Sequence, residues 1–181
     1  MKSRKSIFAI NGSASQNSSN EKLINNFCRL TNDVFDVTVF NDLKSLPHFD
    51  PELSVENTPI EILALRNKIN SADGVLICTP EYVFSIPAGL KNAIEWCVST
   101  TIFSGKPIGL ITASASGQKG HEELQLIMKT VMAIFTDKTT LLIQGVKGKM
   151  NESGEITDNK TVEDFTNFVD QFKKQIEMAS Y

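Results

Sequence analysis

The sequence predicts an α/β fold, a parallel sheet wound with helices on both faces, from three observations. Five apolar runs of strand length recur along the 181 residues, at 7–10, 37–40, 75–78, 108–111 and 141–143. They are continuous rather than alternating, the pattern of strands covered on both faces. Between them lie segments whose apolar residues fall three or four apart, as on a helix that buries one stripe. Strand and helix in alternation, joined by right-handed crossovers, give a doubly wound sheet.

The first run, Ile7 to Ile10, stops at Asn11 and Gly12, and after a polar loop Leu23, Phe27 and Leu30 mark the first helix. The second run leads into LKSLPHFDPEL, residues 43–53, whose two prolines predict extended chain. Ile62, Leu65 and Ile69 mark the next helix, with Thr58 as N-cap, Pro59 at the first helical position and Glu61 beyond it. The third strand precedes a helix that packs Leu90, Ala93, Ile94 and Cys97, with Trp96 nearby or at a subunit contact. After the fourth strand, Leu124, Ile127, Met128, Val131 and Phe135 form another stripe. The polar segment 147–160 reads as a connecting surface loop. Phe165, Phe168, Val169, Phe172 and Ile176 make the clearest helix, with Thr161 and Asp164 at its start.

A chain with 41% apolar residues buries one substantial core, so one domain over 1–181 is expected. A net charge of −3 argues against a nucleic-acid partner. No apolar run approaches the roughly 20 residues of a membrane span, and the run after Lys2, Arg4 and Lys5 is too short for a signal peptide. A cytoplasmic protein without a membrane partner is expected. Cys28, Cys78 and Cys97 stand apart, without C-x-x-C spacing, and with only His48 and His121 to join them neither a disulfide framework nor a metal site is indicated.

The loop NGSASQNSSN, residues 11–20, is where this sheet would bind a ligand, because ligands lie beyond the carboxyl ends of parallel strands. Gly12 admits a sharp turn, Ser13, Ser15 and Ser18 offer hydroxyls, and the next helix offers free N–H groups. Such a nest holds a phosphate without a cationic side chain. The same residues also fit a plain reading, in which Ser18, Ser19 or Asn20 caps the helix and the rest is a solvated turn. Neither G-x-G-x-x-G nor G-x-x-x-x-G-K-[ST] is present.

After the third strand runs TPEYVFSIPAGLKNAIEWC, residues 79–97. It resembles the T-P-E-Y-N-x-S-x-P-x-x-L-K-N-A-I-D-W signature of the NADPH-dependent FMN reductase family. It agrees at Thr79, Pro80, Glu81, Tyr82, Ser85, Pro87, Leu90, Lys91, Asn92, Ala93, Ile94 and Trp96. The first loop is similar to that family's G-S-x-R-x-x-S-x-N at Gly12, Ser13, Ser18 and Asn20. Ser15 stands where arginine is usual, Val83 where asparagine is common, and Glu95 where aspartate is common. SASGQKG, residues 114–120, loosely matches a glycine-rich turn after strand four.

The resemblance implies a flavodoxin-like three-layer sandwich with strand order 2-1-3-4-5, binding FMN and taking electrons from NADPH or NADH. It implies that Ser13, Ser18 and Asn20, helped by Ser15, hold the FMN phosphate. Pro80, Glu81, Tyr82 and Val83 would border the isoalloxazine ring, and Ser114, Ser116 and Gly117 would approach its pyrimidine edge. Tyr82 either contacts the ring or packs on a neighbouring subunit, and Glu81 either borders the ring or is a solvated carboxylate. His121 and Lys119 either meet a nicotinamide phosphate or are ordinary surface residues.

No catalytic side chain is expected, since the flavin carries the chemistry. The implied activity passes hydride from NAD(P)H through FMN to a small acceptor such as free flavin, a quinone or an azo compound, in a homodimer or homotetramer. Two alternatives stand beside it: a flavodoxin-type one-electron carrier, and an FMN-free binding protein on the same fold.

Overall fold

A computed structural model describes residues 4–179. Five parallel strands form one sheet: β1 (Lys5–Asn11), β2 (Phe35–Phe40), β3 (Gly74–Thr79), β4 (Ile108–Ser114) and β5 (Thr140–Gln144). Their order is β2-β1-β3-β4-β5, so the chain reverses direction across the sheet at β1 and β3. The helices are α1 (Ser19–Thr31), α2 (Ile60–Ser71), α3 (Ala88–Glu95), α4 (Gln118–Thr130) and α5 (Asn159–Met178).

Each central strand divides its apolar run between two cores. Phe8 and Ile10 of β1 pack with Val75 and Ile77 of β3 beneath α2, α3 and α4. Ile7 and Ala9 pack with Leu76 and Cys78 against α1 and α5, where Phe27, Phe165, Phe168 and Phe172 lie buried. This two-sided burial is why the strands read as unbroken apolar runs, and it leaves the ends of the strands rather than their faces for a ligand, the carboxyl ends being the usual place.

Several local expectations are corrected. Thr58 does not cap α2: its hydroxyl donates to the Leu53 carbonyl at 2.9 Å, and Pro59 occupies the cap position. The last helix is capped by Asp158, not Thr161, and the Asp158 carboxylate accepts from both the N–H and the hydroxyl of Thr161. Residues 43–53 are not extended throughout, since 3-10 turns occupy Leu43–Ser45 and Pro51–Leu53. Helix α4 stops at Thr130 rather than running on to Phe135. The chain instead turns at Met132, whose φ is 61°, and lays Ile134 beside Pro107, where Ile134 donates to Lys106 and accepts from Ile108. That pairing gives the backbone partners a longer helix would deny it.

Trp96 is wholly buried rather than at a subunit contact, with its indole N–H on the Pro47 carbonyl at 2.8 Å and its ring edge-on to Phe49. Beside it lies Arg66, a buried cation that sequence pattern did not single out. Its guanidinium donates to the carbonyls of Trp96 and Ser54 and to the Ser99 hydroxyl, tying α2 to the end of α3.

Candidate functional site

The loop after β1 leaves the sheet at Gly12, whose N–H bonds the Cys78 carbonyl at 2.8 Å. The glycine serves close approach rather than a special turn: a β-carbon there would lie 2.3 Å from Thr79 Oγ1. Ser13 is buried, its N–H bonded to Asn11 Oδ1 at 3.0 Å, and its Oγ accepts the Ser15 N–H at 3.2 Å. Ser18 Oγ caps α1 by accepting the Glu21 N–H, which leaves its own hydrogen free to donate. Ser15 is exposed at the loop's crest.

Asn20 is buried beneath this loop. Its amide donates to the Ala113 carbonyl at 3.2 Å and its Oδ1 faces Cys78 Sγ at 3.4 Å, so it pins the start of α1 to β3 and β4. Burial pushes the Cys78 thiol up, and that cysteine stays a protonated packing residue.

Residues 79–87 leave β3 as a tight hairpin. Tyr82 and Ser85 exchange backbone hydrogen bonds at 2.9 and 3.1 Å around Val83 and Phe84, whose φ values are 52° and 60°. Both tip side chains are exposed, Val83 to 94%. Glu123 of α4 fastens the hairpin, its Oε2 accepting the Ser85 hydroxyl at 2.6 Å and the Ile86 N–H at 2.9 Å. The Tyr82 hydroxyl reaches back to within 3.5 Å of Ser13 Oγ. Burial pushes its phenol up, but the hydroxyls of Ser13 and Ser15, the Ala14 backbone and the charge of Lys44 outweigh that and hold it below its ordinary value.

Glu81 points away from this opening. Its carboxylate accepts the N–H groups of Gly117 at 3.2 Å and Gly120 at 2.8 Å, and its carbonyl accepts the Ser114 hydroxyl at 3.4 Å. The loops after β3 and β4 are thereby stitched together. Gly117 holds φ 86° at the head of α4, a left-handed conformation that suits glycine. His121 is buried, with Nδ1 2.9 Å from Thr112 Oγ1, and Lys119 pairs with Glu122 at 2.9 Å. His121 is therefore a core residue, not a surface one.

These loops enclose an open cleft of about 930 Å³, near the upper end of the usual size for small-molecule sites, roughly 300–1,000 Å³. Ser13, Ser15, Ser18, Asn20, Pro80, Tyr82 and Ser114 all line it, whereas Glu81, Val83, Ser116 and Gly117 are not among its lining residues. Sequence reasoning missed its other wall. Gly145, Val146, Lys147, Gly148, Met150, Asn151 and Glu152 line the cleft around a 3-10 turn at Val146–Lys149, and from Lys147 onward they were read as a mere connection. A run of lysines and glycines carries no periodicity to announce that role. A smaller cleft of about 500 Å³ lies by Asn41, Asp42 and Lys44, and Ser13 and Ser15 border both.

The donor set fits an aromatic phosphate ester. Three serine hydroxyls and the first N–H groups of α1 gather at one end, suited to an anion. Pro80 and Tyr82 offer flat apolar contact, and the backbone of Ala113, Ser114 and Ala115 offers groups for a polar ring edge.

A profile of the family described as NADPH-dependent FMN reductase matches residues 6–147. A quinone reductase of Escherichia coli strain K12 is 27% identical over 98% of both chains. A subunit of an NADH:(hydroxy)cinnamate reductase of Vibrio ruber is 30% identical over 77% of this chain and 71% of its own. Among solved structures, the flavoenzyme NAD(P)H:(acceptor) oxidoreductase FerB of Paracoccus denitrificans superposes with a TM-score of 0.83 at 26% identity, covering 97% of this chain and 98% of its own.

Proposed function

The chain belongs to the family of NADPH-dependent FMN reductases and is a flavin-dependent oxidoreductase, and on that premise we propose how its cleft works. Ser13, Ser15 and Ser18, with the N-terminus of α1, hold the FMN phosphate. Pro80, Tyr82 and the backbone at Ser114 flank the ring. When bound, the flavin supplies the hydride chemistry between NAD(P)H and an acceptor.

What the chain contributes is position. Asn20 keeps the head of α1 against β3 and β4, and Glu81 keeps the two ring-flanking loops at a fixed separation. The Ser13–Tyr82 contact joins the phosphate end to the ring end, so one group is placed relative to the other before a second substrate arrives. The supporting observation is that the residues of two separate sequence motifs line one cleft of adequate size.

The openness of that cleft favours small flat acceptors, with quinones first, as the name of the Escherichia coli relative suggests. The free thiols of Cys28, Cys78 and Cys97 suit a reducing compartment, the cytoplasm, and among the described residues no helix is long and apolar enough to cross a membrane. Exposed Val83, Phe84 and Leu126 favour a homo-oligomer, dimer or tetramer.

The test is an anaerobic titration of the FMN-loaded protein with NADPH and separately NADH, followed by a quinone. Bleaching of the flavin absorbance and its return on quinone addition are expected. Bound flavin that neither nucleotide bleaches would overturn the reading.

A further inference from the structure

We propose that Lys147 is the cationic partner of the FMN phosphate in this chain. The inference rests on the reading that the cleft holds FMN. The loop that meets the phosphate is neutral from Asn11 to Asn20, and a phosphate ester is a dianion near neutral pH. At the crest of that loop stands Ser15, whose short hydroxyl brings a donor but no charge.

Among the described residues two cations line the cleft, Lys22 and Lys147. The Lys22 ammonium is held by the Glu152 carbonyl at 3.1 Å, with its methylenes packed on Gly154. Lys149, on the same turn as Lys147, is not a lining residue. Lys147 has neither an ion pair nor a side-chain hydrogen bond among the described residues. It lines the same cleft as Ser15, Ser18 and Ser19.

The segment that carries it is fixed at both ends. Gly145 donates to the Ala115 carbonyl at 3.0 Å on the β4 side. On the α1 side, Asn26 Nδ2 donates to the Gly154 carbonyl at 2.7 Å, and Thr157 closes the loop on the Lys149 carbonyl. A flexible four-carbon stem on this anchored turn brings a point charge to an anion without demanding the geometry of a guanidinium. An exposed pair of this kind is screened by salt, so the contribution depends on ionic strength.

Calorimetric titration of the full-length apoprotein with FMN and with riboflavin, at low and high salt, tests this. Lys147→Gln is expected to weaken FMN roughly tenfold at low salt, to leave riboflavin unchanged and to flatten the salt dependence. Ser15→Arg added to Lys147→Gln restores FMN affinity, and Lys149→Gln alone changes neither ligand. FMN binding that ignores Lys147→Gln, equal losses for both ligands, or an equal loss from Lys149→Gln would overturn the assignment while leaving the cofactor reading intact. Wild-type protein that binds no FMN would overturn both.

Discussion

The Glu81 carboxylate accepts the Gly120 N–H at 2.8 Å, so a residue at the end of β3 caps the first turn of α4. Gly117 donates to the same carboxylate at 3.2 Å, so one side chain joins the two loops that follow β3 and β4. Glu81→Ala removes both bonds and should cost roughly 1–3 kcal/mol of stability, with Glu81→Gln intermediate because one acceptor oxygen remains. Urea denaturation midpoints check the order wild type, glutamine, alanine. FMN affinity should fall in the same order if the backbone of these loops flanks the ring as proposed.

The hairpin tip places a β-branched residue and an aromatic one in left-handed conformation, Val83 at φ 52° and Phe84 at φ 60°. Two consecutive positive φ values define the turn for which asparagine followed by glycine is preferred. Neither exposed side chain contributes much packing. Val83→Asn with Phe84→Gly should therefore raise stability by about 1–2 kcal/mol, read as a higher melting temperature. An unchanged or lower value would mean that the tip packs on a partner.

Burial pushes the His121 imidazole down, against the pull of the Glu122 charge, while the unfolded chain protonates near the ordinary histidine value of about 6.5. Below that value the unfolded state binds more protons than the folded one, so stability falls as pH is lowered until the folded imidazole also titrates. Denaturation curves between neutral pH and pH 5 should show this slope. His121→Gln should reduce it, leaving the slope due to carboxylates.

Arg66 satisfies the carbonyls of Trp96 and Ser54 with a buried guanidinium. Arg66→Met leaves the buried Trp96 carbonyl without its donor, while Ser54 keeps the Ser99 hydroxyl at 2.8 Å, and should destabilise the chain by roughly 1–3 kcal/mol in a denaturant titration. Arg66→Lys recovers part of the loss, because one ammonium reaches fewer of these acceptors.

The sheet was legible because its strands are buried on both faces, and burial writes itself into sequence as unbroken runs such as 75–78. That Ser13, Ser18 and Tyr82 line one cleft was legible through motif residues whose spacing is local to one loop. Arg66 and Lys147 were not, for opposite reasons. Arg66 meets acceptors 12 and 30 residues away, contacts that no local period encodes. Lys147 sits on a polar turn that resembles any solvated connection until its neighbours across the sheet are known. The helix caps at Thr58 and Thr161 were misplaced because several hydroxyls and carboxylates near each start compete, and tertiary contacts choose among them.

The central claim is that the serines of the β1–α1 loop grip the phosphate of FMN. Calorimetric titration of the apoprotein with FMN, in wild type and in the Ser13→Ala, Ser18→Ala double variant, tests it most directly. Saturable binding by the wild type and a loss of at least tenfold in the variant are predicted. Equal cofactor affinity in the two proteins would contradict it.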